Sequence, residues 1–559
     1  MISRWKAALI SSVAFASLLP ASPLAGVIRS VSISGARAIT LSVLQGNSLL
    51  RAGLAYSDSL VSLEVARVDS VYFSRGYLGV DIQSDTSMSG EDIEVRLTVS
   101  EGEAARIGKV SVNGAESIGE AEAMRRVRPA AGDRFDPFLL EESLKELLGL
   151  YNESGFPYAQ VWLTGFDYRA GASEVDITIS ISEGEHSAIA RVVFDGLAKT
   201  DSSLALRASR IKPGVTFSER RIERARSYLE GAGLFQSVGE ARLERRSSGR
   251  VDLVIPVKEI ERGNSLQGAL GFSRKEQGEY VLNGSVSVGL NNVAGTGRNV
   301  RFDWVNDGED YSRLALKYRQ PFLFSSPMSL DGELEQVIQD SIYSWITGGL
   351  YLGVPLGPYT SIVAGAGADR NVPDSGELIR SVRERFRLGL RAEVPSRAAV
   401  AAHVEGAYRK RYLRSGAAER DGEFLYRVDG VVAAPTWGNQ SVHVRLVSEA
   451  VFSSGDIPLA ELFPLGGATT LRGYREGQFR GERIACVNVE YRFGAEGWLF
   501  LFDDVGAFYR SDEGWTVKNG SGFGLRSQSP LGAVVLSFGV GETLSLEGTR
   551  IHIALVQKF

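Results

Sequence analysis

Two textures of hydrophobicity divide the chain near Asn264. Beyond it, apolar and polar residues alternate in runs of about ten, separated by turns. In NGSVSVGLNN, Val286, Val288 and Leu290 share one face, and Ser285, Ser287 and Gly289 share the other. In AVVLSFGVG, Leu536, Phe538 and Val540 oppose Ser537, Gly539 and Gly541. The final run, RIHIALVQKF, sets Ile551, Ile553 and Leu555 against Arg550, His552 and Ala554. Successive side chains of a strand point to opposite faces, so each run predicts a strand with one apolar and one small or polar face. Repeated strand after strand, the pattern predicts an antiparallel transmembrane β-barrel with lipid outside and a polar lumen. From Leu266 to Phe559 the runs number about sixteen, an even count as bacterial barrels have. A large soluble β-sandwich or propeller is the competing reading.

Before Asn264 the spacing is helical between short strands, and the chain repeats itself. VIRSVSISG closes on Gly35, RIGKVSVNG on Gly114 and AIARVVFDG on Gly196, at intervals of 79 and 82 residues. A second marker keeps the same phase: RGYLGVDI around Gly76, SGFPYAQV around Gly155 and GAGLFQSV around Gly233, at intervals of 79 and 78. A third ends the first two units, LTVSEGE and ISISEGE, with VDLVIPVKE ending at Glu259 in its place in the third. Self-similarity at a fixed period marks tandem modules. Each unit predicts strand, helix, helix, strand, strand, with the second helix stopped by the marker glycine. In DPFLLEESLKELLGLYNESG, Asp136 is the expected N-cap and Pro137 the first helical residue, and Leu139, Leu144, Leu147, Leu148 and Tyr151 recur at helical spacing. In the third unit Ile222, Ala225, Tyr228 and Leu229 share a face. Arg220, Arg221, Arg224 and Arg226 lie mostly elsewhere, as a solvated face or as a contact for headgroups or a partner.

The first residues, MISRWKAALISSVAFASLLPASPLAG, place Arg4 and Lys6 before an apolar run from Ala7 to Leu19 and then small residues. That is the layout of a secretory signal peptide, with cleavage expected between Ala21 and Gly26. No later segment reaches ~18 consecutive apolar residues, so a membrane would be crossed by strands. The expected map is a signal peptide at 1–25, three α+β repeats at 26–103, 104–186 and 187–262, and a barrel at 263–559. A net charge of −5 gives a nucleic-acid partner no electrostatic support. Cys486 is the sole cysteine and reads as a small strand residue. His186, His403, His443 and His552 lack ligand or triad spacing, and neither a serine elbow nor a glycine-rich nucleotide loop occurs. No catalytic residue, metal or cofactor is expected.

One stretch does not fit a plain barrel. LGGATTLRGYREGQF, Leu465 to Phe479, sets arginines and glycines between the runs counted as strands eleven and twelve. In the twelfth, Val487, Val489, Tyr491 and Phe493 would face lipid, and Asn488, Glu490 and Arg492 the lumen. In the thirteenth, Phe502, Asp504 and Gly506 would share the inner face, leaving Asp503 pointing outward. If the segment 452–481 folds inward, Arg472 enters a confined lumen where an unpaired charge is costly. Glu490 and Asp504 are the carboxylates that parity offers it, and a guanidinium fork can hold a carboxylate bidentately. Gly473 would let the backbone turn sharply beside it. From these residues alone, an ordinary surface loop with solvated arginines remains the alternative.

These residues resemble the BamA/TamA family of outer-membrane assembly proteins, in which POTRA repeats precede a sixteen-stranded barrel. Leu471, Arg472, Gly473 and Tyr474, after Leu465, Gly466 and Gly467, resemble the family's arginine–glycine–aromatic loop motif. Phe502, Asp504 and Gly506 resemble the strand motif whose aspartate partners that arginine. NNVAGTGRNV, Asn291 to Val300, is similar to the family's early hairpin, and FGLRSQSPLG, Phe523 to Gly532, to its late one. Three repeats resemble the TamA layout more than that of BamA. Phe559 resembles the aromatic finish of the family's insertion signal, although Gln557 stands where an apolar residue is usual.

The resemblance implies a bacterial outer-membrane location with the repeats in the periplasm. It also implies a function in inserting or translocating unfolded outer-membrane protein clients at the lipid bilayer, and a periplasm-spanning, inner-membrane-anchored protein as a candidate partner. Repeat edges would take extended client segments by β-augmentation. A seam between Leu266–Arg274 and Arg550–Phe559 would open as a template for a client's terminal strand. The alternatives are a two-partner secretion transporter for a β-rich exoprotein and, from another class, a passive porin.

Overall fold

The computed structural model describes residues 26–558 except 91, 248, 261–263, 275–279, 307–310, 340–341, 377, 395–397, 456, 458–461, 476, 495–498, 530–531 and 542–549. The expected signal peptide, 1–25, and the expected insertion signal at Phe559 therefore lie outside the described residues. The chain divides into two compact units. One runs to Ile189 and takes in Thr216–Arg220 and Arg246–Val251; the other holds Ala190–Val215, Arg221–Arg245 and Asp252–Phe559.

The first repeat comprises β1 (Val27–Ser34), α1 (Leu41–Gly46), α2 (Asp58–Phe73), β2 (Asp81–Ser89) and β3 (Asp92–Ser100). The second comprises β4 (Arg106–Asn113), α3 (Glu120–Met124), α4 (Pro137–Glu153), β5 (Gln160–Arg169) and β6 (Glu174–Ser182). In both, the last strand is central and parallel to the first, in the orders β1-β3-β2 and β4-β6-β5. The alternating buried residues of β3 and β6 pack under the two helices, with Val68, Tyr72, Leu147 and Tyr151 at the bottom of the two cores. The third repeat has β7 (Ala188–Asp195), α5 (Ser202–Ser209), α6 (Glu219–Gly231), β8 (Phe235–Val238), β9 (Arg242–Ser247) and β10 (Arg250–Glu259). Its second strand is split, since β8 and β9 both pair with β10.

The closing glycines have a steric cause. Gly35, Gly114 and Gly196 adopt φ of +86°, +83° and +103°. A Cβ at any of them would run into the carbonyl oxygen of Val99, Ile181 or Val257 on the repeat's last strand. Asp136 caps α4 by accepting from the backbone N–H of Phe138 at 2.9 Å and of Leu139 at 3.1 Å. The buried face of α4 differs from the expected one: it is Leu140, Leu144, Leu147 and Tyr151, while Leu139 is exposed. Position 140 keeps the 4-3-4 spacing with 144, 147 and 151; position 139 lies a ~100° step to one side.

Among the described residues sixteen strands close an antiparallel barrel. They are β11 (Ser265–Arg274), β12 (Tyr280–Val293), β13 (Arg298–Asn306), β14 (Tyr311–Gln320), β15 (Ser329–Gln339), β16 (Tyr343–Pro355), β17 (Thr360–Pro373) and β18 (Leu378–Val394). After these come β19 (Ala398–Leu413), β20 (Ala418–Pro435) and β21 (Ser441–Ser453), then, past two short strands inside the loop, β22 (Phe463–Leu465) and β23 (Phe479–Gly481). The wall is completed by β24 (Arg483–Phe493), β25 (Leu499–Arg510), β26 (Gly514–Ser529), β27 (Gly532–Val540) and β28 (Arg550–Lys558). No helix among the described residues is long and apolar enough to cross a membrane.

Alternation sorts the wall as period two requires. On β18 the outward Phe386, Leu388 and Leu390 are exposed, while the inward Arg383 and Arg385 are buried. The inward charges pair across strands: Arg383 with Asp369 at 2.6 Å, Arg387 with Glu405 at 2.6 Å, and Arg409 with Glu423. A lumen wall of this kind satisfies its charges internally.

Candidate functional site: an arginine loop inside the barrel

Between β21 and β24 the chain returns into the barrel. β22 pairs with β23, and the segment between them turns back on itself: the Gly467 N–H donates to the Leu471 carbonyl at 3.1 Å, and Thr470 Oγ1 donates to the Gly466 carbonyl at 3.0 Å. Leu465, Leu471 and Tyr474 are buried against Val447, Ile484, Cys486 and Phe508 of the inner wall. Gly506 makes room for them; a Cβ there would stand 3.0 Å from Leu465 Cδ2. Burial of these apolar groups drives the segment inward, and the turn then delivers Arg472.

Arg472 is 6% exposed and Asp504 is fully buried. The guanidinium grips Asp504 with two N–H groups, Nε to Oδ2 at 2.7 Å and Nη2 to Oδ1 at 2.7 Å. The Arg472 backbone N–H donates to the same Oδ2 at 3.0 Å. Nη1 donates to Glu490 Oε1 at 2.5 Å, and Glu490 in turn accepts from Arg492 at 2.6 Å. Two guanidinium groups therefore balance two carboxylates, which is what a poorly hydrated lumen demands. The Phe502 ring lies beneath Arg472, with the guanidinium carbon 3.7 Å from its centroid, a cation–π contact in a desolvated place.

The backbone around the arginine is held as tightly as its side chain. The Thr470 carbonyl accepts from Cys486 Sγ at 3.0 Å and from Asn488 Nδ2. Arg445 donates to the Thr469 carbonyl at 2.6 Å. Gly473 has φ +94°, and a Cβ there would collide with the backbone of Val540 and Gly541 at the end of β27. The approach is mutual: a Cβ at Gly520 would strike the Arg472 carbonyl, and one at Gly539 would strike Gly473. Tyr474 completes the contact by donating its hydroxyl to the Asn519 carbonyl at 3.0 Å.

The sequence-expected residues Leu471, Arg472, Gly473, Tyr474, Glu490, Phe502, Asp504 and Gly506 thus stand together on one stretch of inner wall. Asp503 points outward from β25 and accepts from Ser521 Oγ of the neighbouring strand. Sequence reasoning missed Arg492 as the partner of Glu490, the anchoring of the Thr470 carbonyl, and Gly520 and Gly539. A signal existed for Gly520: inward positions 520, 522 and 524 of β26 are all glycine, an emptied stripe on the inner face.

Residues 425–553 match the Omp85 superfamily domain, and residues 105–184 and 187–260 match the POTRA surface antigen variable number repeat. The outer membrane protein assembly factor BamA of Nitratidesulfovibrio vulgaris is 24% identical over 532 residues, 86% of this chain and 65% of that protein. A putative outer membrane protein assembly factor of Treponema pallidum is 24% identical over 349 residues, 60% of this chain and 41% of that protein. The chain therefore spans under two thirds of the length of either relative. Among solved structures, BamA from Haemophilus ducreyi lacking POTRA domains 1–3 gives a TM-score of 0.47 at 16% identity, over 81% of this chain and 100% of that one. CdiB from Escherichia coli gives 0.48 at 14% identity, over 88% of this chain and 96% of that one. The barrel wall thus carries an Omp85 superfamily domain, and two POTRA repeats stand ahead of it along the chain.

Proposed function

We propose that this protein assembles other outer-membrane proteins by offering an incoming terminal strand a weakly paired edge in its own barrel. The observation that carries the reading is the seam. β11 is registered to β12 over ten residue pairs, Ser265↔Gly289 to Arg274↔Tyr280, but among the described residues to β28 over three, Ser265↔Lys558 to Gln267↔Val556. Most of the β11 edge is thus without a ladder on the seam side, and unpaired edge groups are a template for another strand. The relatives named as assembly factors support the same reading. Unfolded outer-membrane proteins would be the clients and the lipid bilayer the destination, with an inner-membrane-anchored, periplasm-spanning protein as a further partner.

In this proposal 26–103, 104–186 and 187–262 are periplasmic modules, and 263–559 is the barrel. The outer strands of the module sheets, such as β2 and β5, are edges on which an extended client segment adds by backbone pairing. Arg472, Asp504 and Glu490 act as a brace. They fix the wall from β24 to β27 so that movement is confined to the seam. No step requires a catalytic side chain or a cofactor; folding of the client supplies the driving force.

A cysteine pair tests the seam. In a Leu266→Cys/Gln557→Cys variant, oxidation should abolish insertion of a reporter barrel into vesicles, and reductant should restore it. Full activity in the cross-linked state would overturn the proposal.

A further inference from the structure

The outer wall carries a feature that neither assembly nor the arginine loop uses. On the strands halfway round the barrel from the seam, four cations face outward at the end of the strands remote from the β12–β13 turn. Arg370 on β17 is paired in register with Val382 on β18, Val382 with Lys410 on β19, and Lys410 with Arg420 on β20. The paired residues share a face, so these positions form one row across four adjacent strands. Arg380 stands one outward position further along β18. Its guanidinium carbon lies 4.4 Å from the Tyr412 ring centroid, and Lys410 Nζ lies 5.0 Å from the same centroid. The outward parity is fixed by the neighbours: Phe386 and Leu388 on β18, 67% and 56% exposed, share it with Arg380, while Arg383, Arg409 and Arg411 of the opposite parity are buried in lumen ion pairs.

Arg370, Arg380, Lys410 and Arg420 have no carboxylate partner among the described residues. The inward arginines of the same strands, Arg383, Arg409 and Arg411, are paired with acids on adjacent strands; these four outward cations are not. One acid shares the outer face nearby, Glu384, in register with Tyr408 one step closer to the membrane centre. Among the described residues of these four strands, the outer face at this level therefore carries four positive charges and one negative.

Its level on the wall says what it meets. From Val400, the first large outward apolar residue of β19, to Lys410 is ten residues, about 33 Å along the strand. At a tilt of roughly 40° that is about 25 Å of height, the thickness of the apolar band of an outer-membrane barrel. The row lies where hydrocarbon ends and headgroups begin. Because the third repeat leads into β11, this end of the strands faces away from the periplasm, toward the outer leaflet. Cations at that level recognise phosphate, as basic juxtamembrane clusters do. From Arg370 to Arg420 there are three strand spacings, about 14 Å, wider than one phosphate can bridge.

We propose that this row is a binding site for a lipid headgroup bearing two phosphates, a bisphosphorylated glycolipid of the outer leaflet whose acyl chains lie along Phe386, Leu388, Val404 and Phe424. Tyr408 and Tyr412 stand at the polar edge beside it, as interfacial aromatic residues do. The site lies away from the seam, so occupancy would hold the rigid side of the barrel in the leaflet while the other side works.

Native mass spectrometry of the full chain, released from detergent micelles containing bisphosphoryl lipid A, provides the test. The wild type should retain this lipid at least tenfold more than monophosphoryl lipid A or phosphatidylglycerol. An Arg370→Ala/Lys410→Ala/Arg420→Ala variant, with barrel folding checked by heat-modifiable gel mobility, should lose that preference. Glu384→Gln should raise retention severalfold, a gain that misfolding cannot imitate. Equal retention of the three lipids by the wild type, or an unaltered preference in the triple variant, would overturn the assignment.

Discussion

Asp504 is the residue on which loss of Arg472 falls hardest. It is fully buried and accepts three of its hydrogen bonds from that one residue. An Arg472→Ala change leaves two carboxylates facing one cation, Arg492, and breaking a buried pair in this way costs about 3–5 kcal/mol. The expected result is a lower urea midpoint for the barrel in vesicles, together with assembly activity falling much further than barrel abundance. Arg472→Lys should recover less than half of the stability, because an ammonium cannot span both Asp504 oxygens and Glu490 from one planar fork. Wild-type stability in the alanine variant would remove the brace from the mechanism. Much of this cluster was legible from parity alone, since Asn488, Glu490, Phe502 and Asp504 each follow the period of their strands. The stack of Arg472 on Phe502 and the close approach to Gly520 and Gly539 were not. The ring stack depends on how the loop turns over β25, and the two glycines belong to the next two strands, whose distance from the loop backbone no period records.

At the scale of the repeat, the recurring glutamate explains more than the glycines do. Glu101 accepts from the backbone N–H groups of Arg37 at 2.7 Å and Ala38 at 2.8 Å, and from the Tyr72 hydroxyl at 2.7 Å. Glu183 does the same for the Ser117 N–H at 2.8 Å and the Tyr151 hydroxyl at 2.9 Å. Glu259 holds Lys199 and Thr200 by their N–H groups at 2.9 and 2.7 Å. In each module the end of the last strand thus ties down the loop that leaves the first strand. In the first two it also fixes the second helix; in the third, Leu229 takes the tyrosine's place and is buried without a hydroxyl. Partial burial raises the pKa of Glu101 and Glu183, but the hydrogen bonds to the charged form outweigh it and hold both below the usual glutamate value. A depressed folded pKa means stability that is complete above the unfolded value, near ~4.3, and lost as pH falls through the folded value. Amide protection in the first two repeats of the full chain, taken relative to the intrinsic exchange rate at each pH, should therefore fall below about pH 4. Tyr151→Phe should cost repeat two about 1 kcal/mol of protection and leave the first repeat unchanged. Equal exchange in the two repeats of that variant would show that the clamp bears no stability. The markers announced the modules in the sequence. The clamp itself was hidden because each glutamate lies 59 to 66 residues beyond the loop N–H groups it holds and 29 or 32 beyond the tyrosines. The misplaced Leu139 had a simpler cause, for α4 has leucines on adjacent positions and only packing selects among them.

Across the second unit, the stiffness of the wall and the attachment of the last module belong to one design. β18, β19 and β20 run for 17, 16 and 18 residues and carry the inward ion pairs, whereas β11 and β28 run for 10 and 9. Strain on such a barrel is relieved first where the ladder is shortest. The third repeat is fastened at the seam side, on the turn between β12 and β13: the Asp201 N–H donates to the Gly295 carbonyl at 3.0 Å, and Asn292 Nδ2 donates to Thr200 Oγ1 at 2.9 Å. Thr200 is the residue whose N–H Glu259 holds, so the clamp of the module and its grip on the barrel share one short loop. A second tie runs from Tyr359, in the turn after β16, to Glu230 on α6 at 2.9 Å. A module attached at both turns transmits its orientation to the first strands of the barrel. Gly295 is the point at which this can be broken. It has φ +73°, and a Cβ would strike the Lys199 carbonyl, so Gly295→Ala meets both a left-handed backbone cost of roughly 1–2 kcal/mol and a clash. Pulsed electron resonance between spin labels on the exposed face of α6 and on the turn 436–440 should give one narrow distance in the wild type and a broad distribution in this variant. Gly357→Ala, where an added Cβ meets nothing within 4 Å, should stay narrow. A narrow distance in both variants would mean that the module is held by something other than this turn, and a client pulling on the repeats would then have no lever on the seam through it.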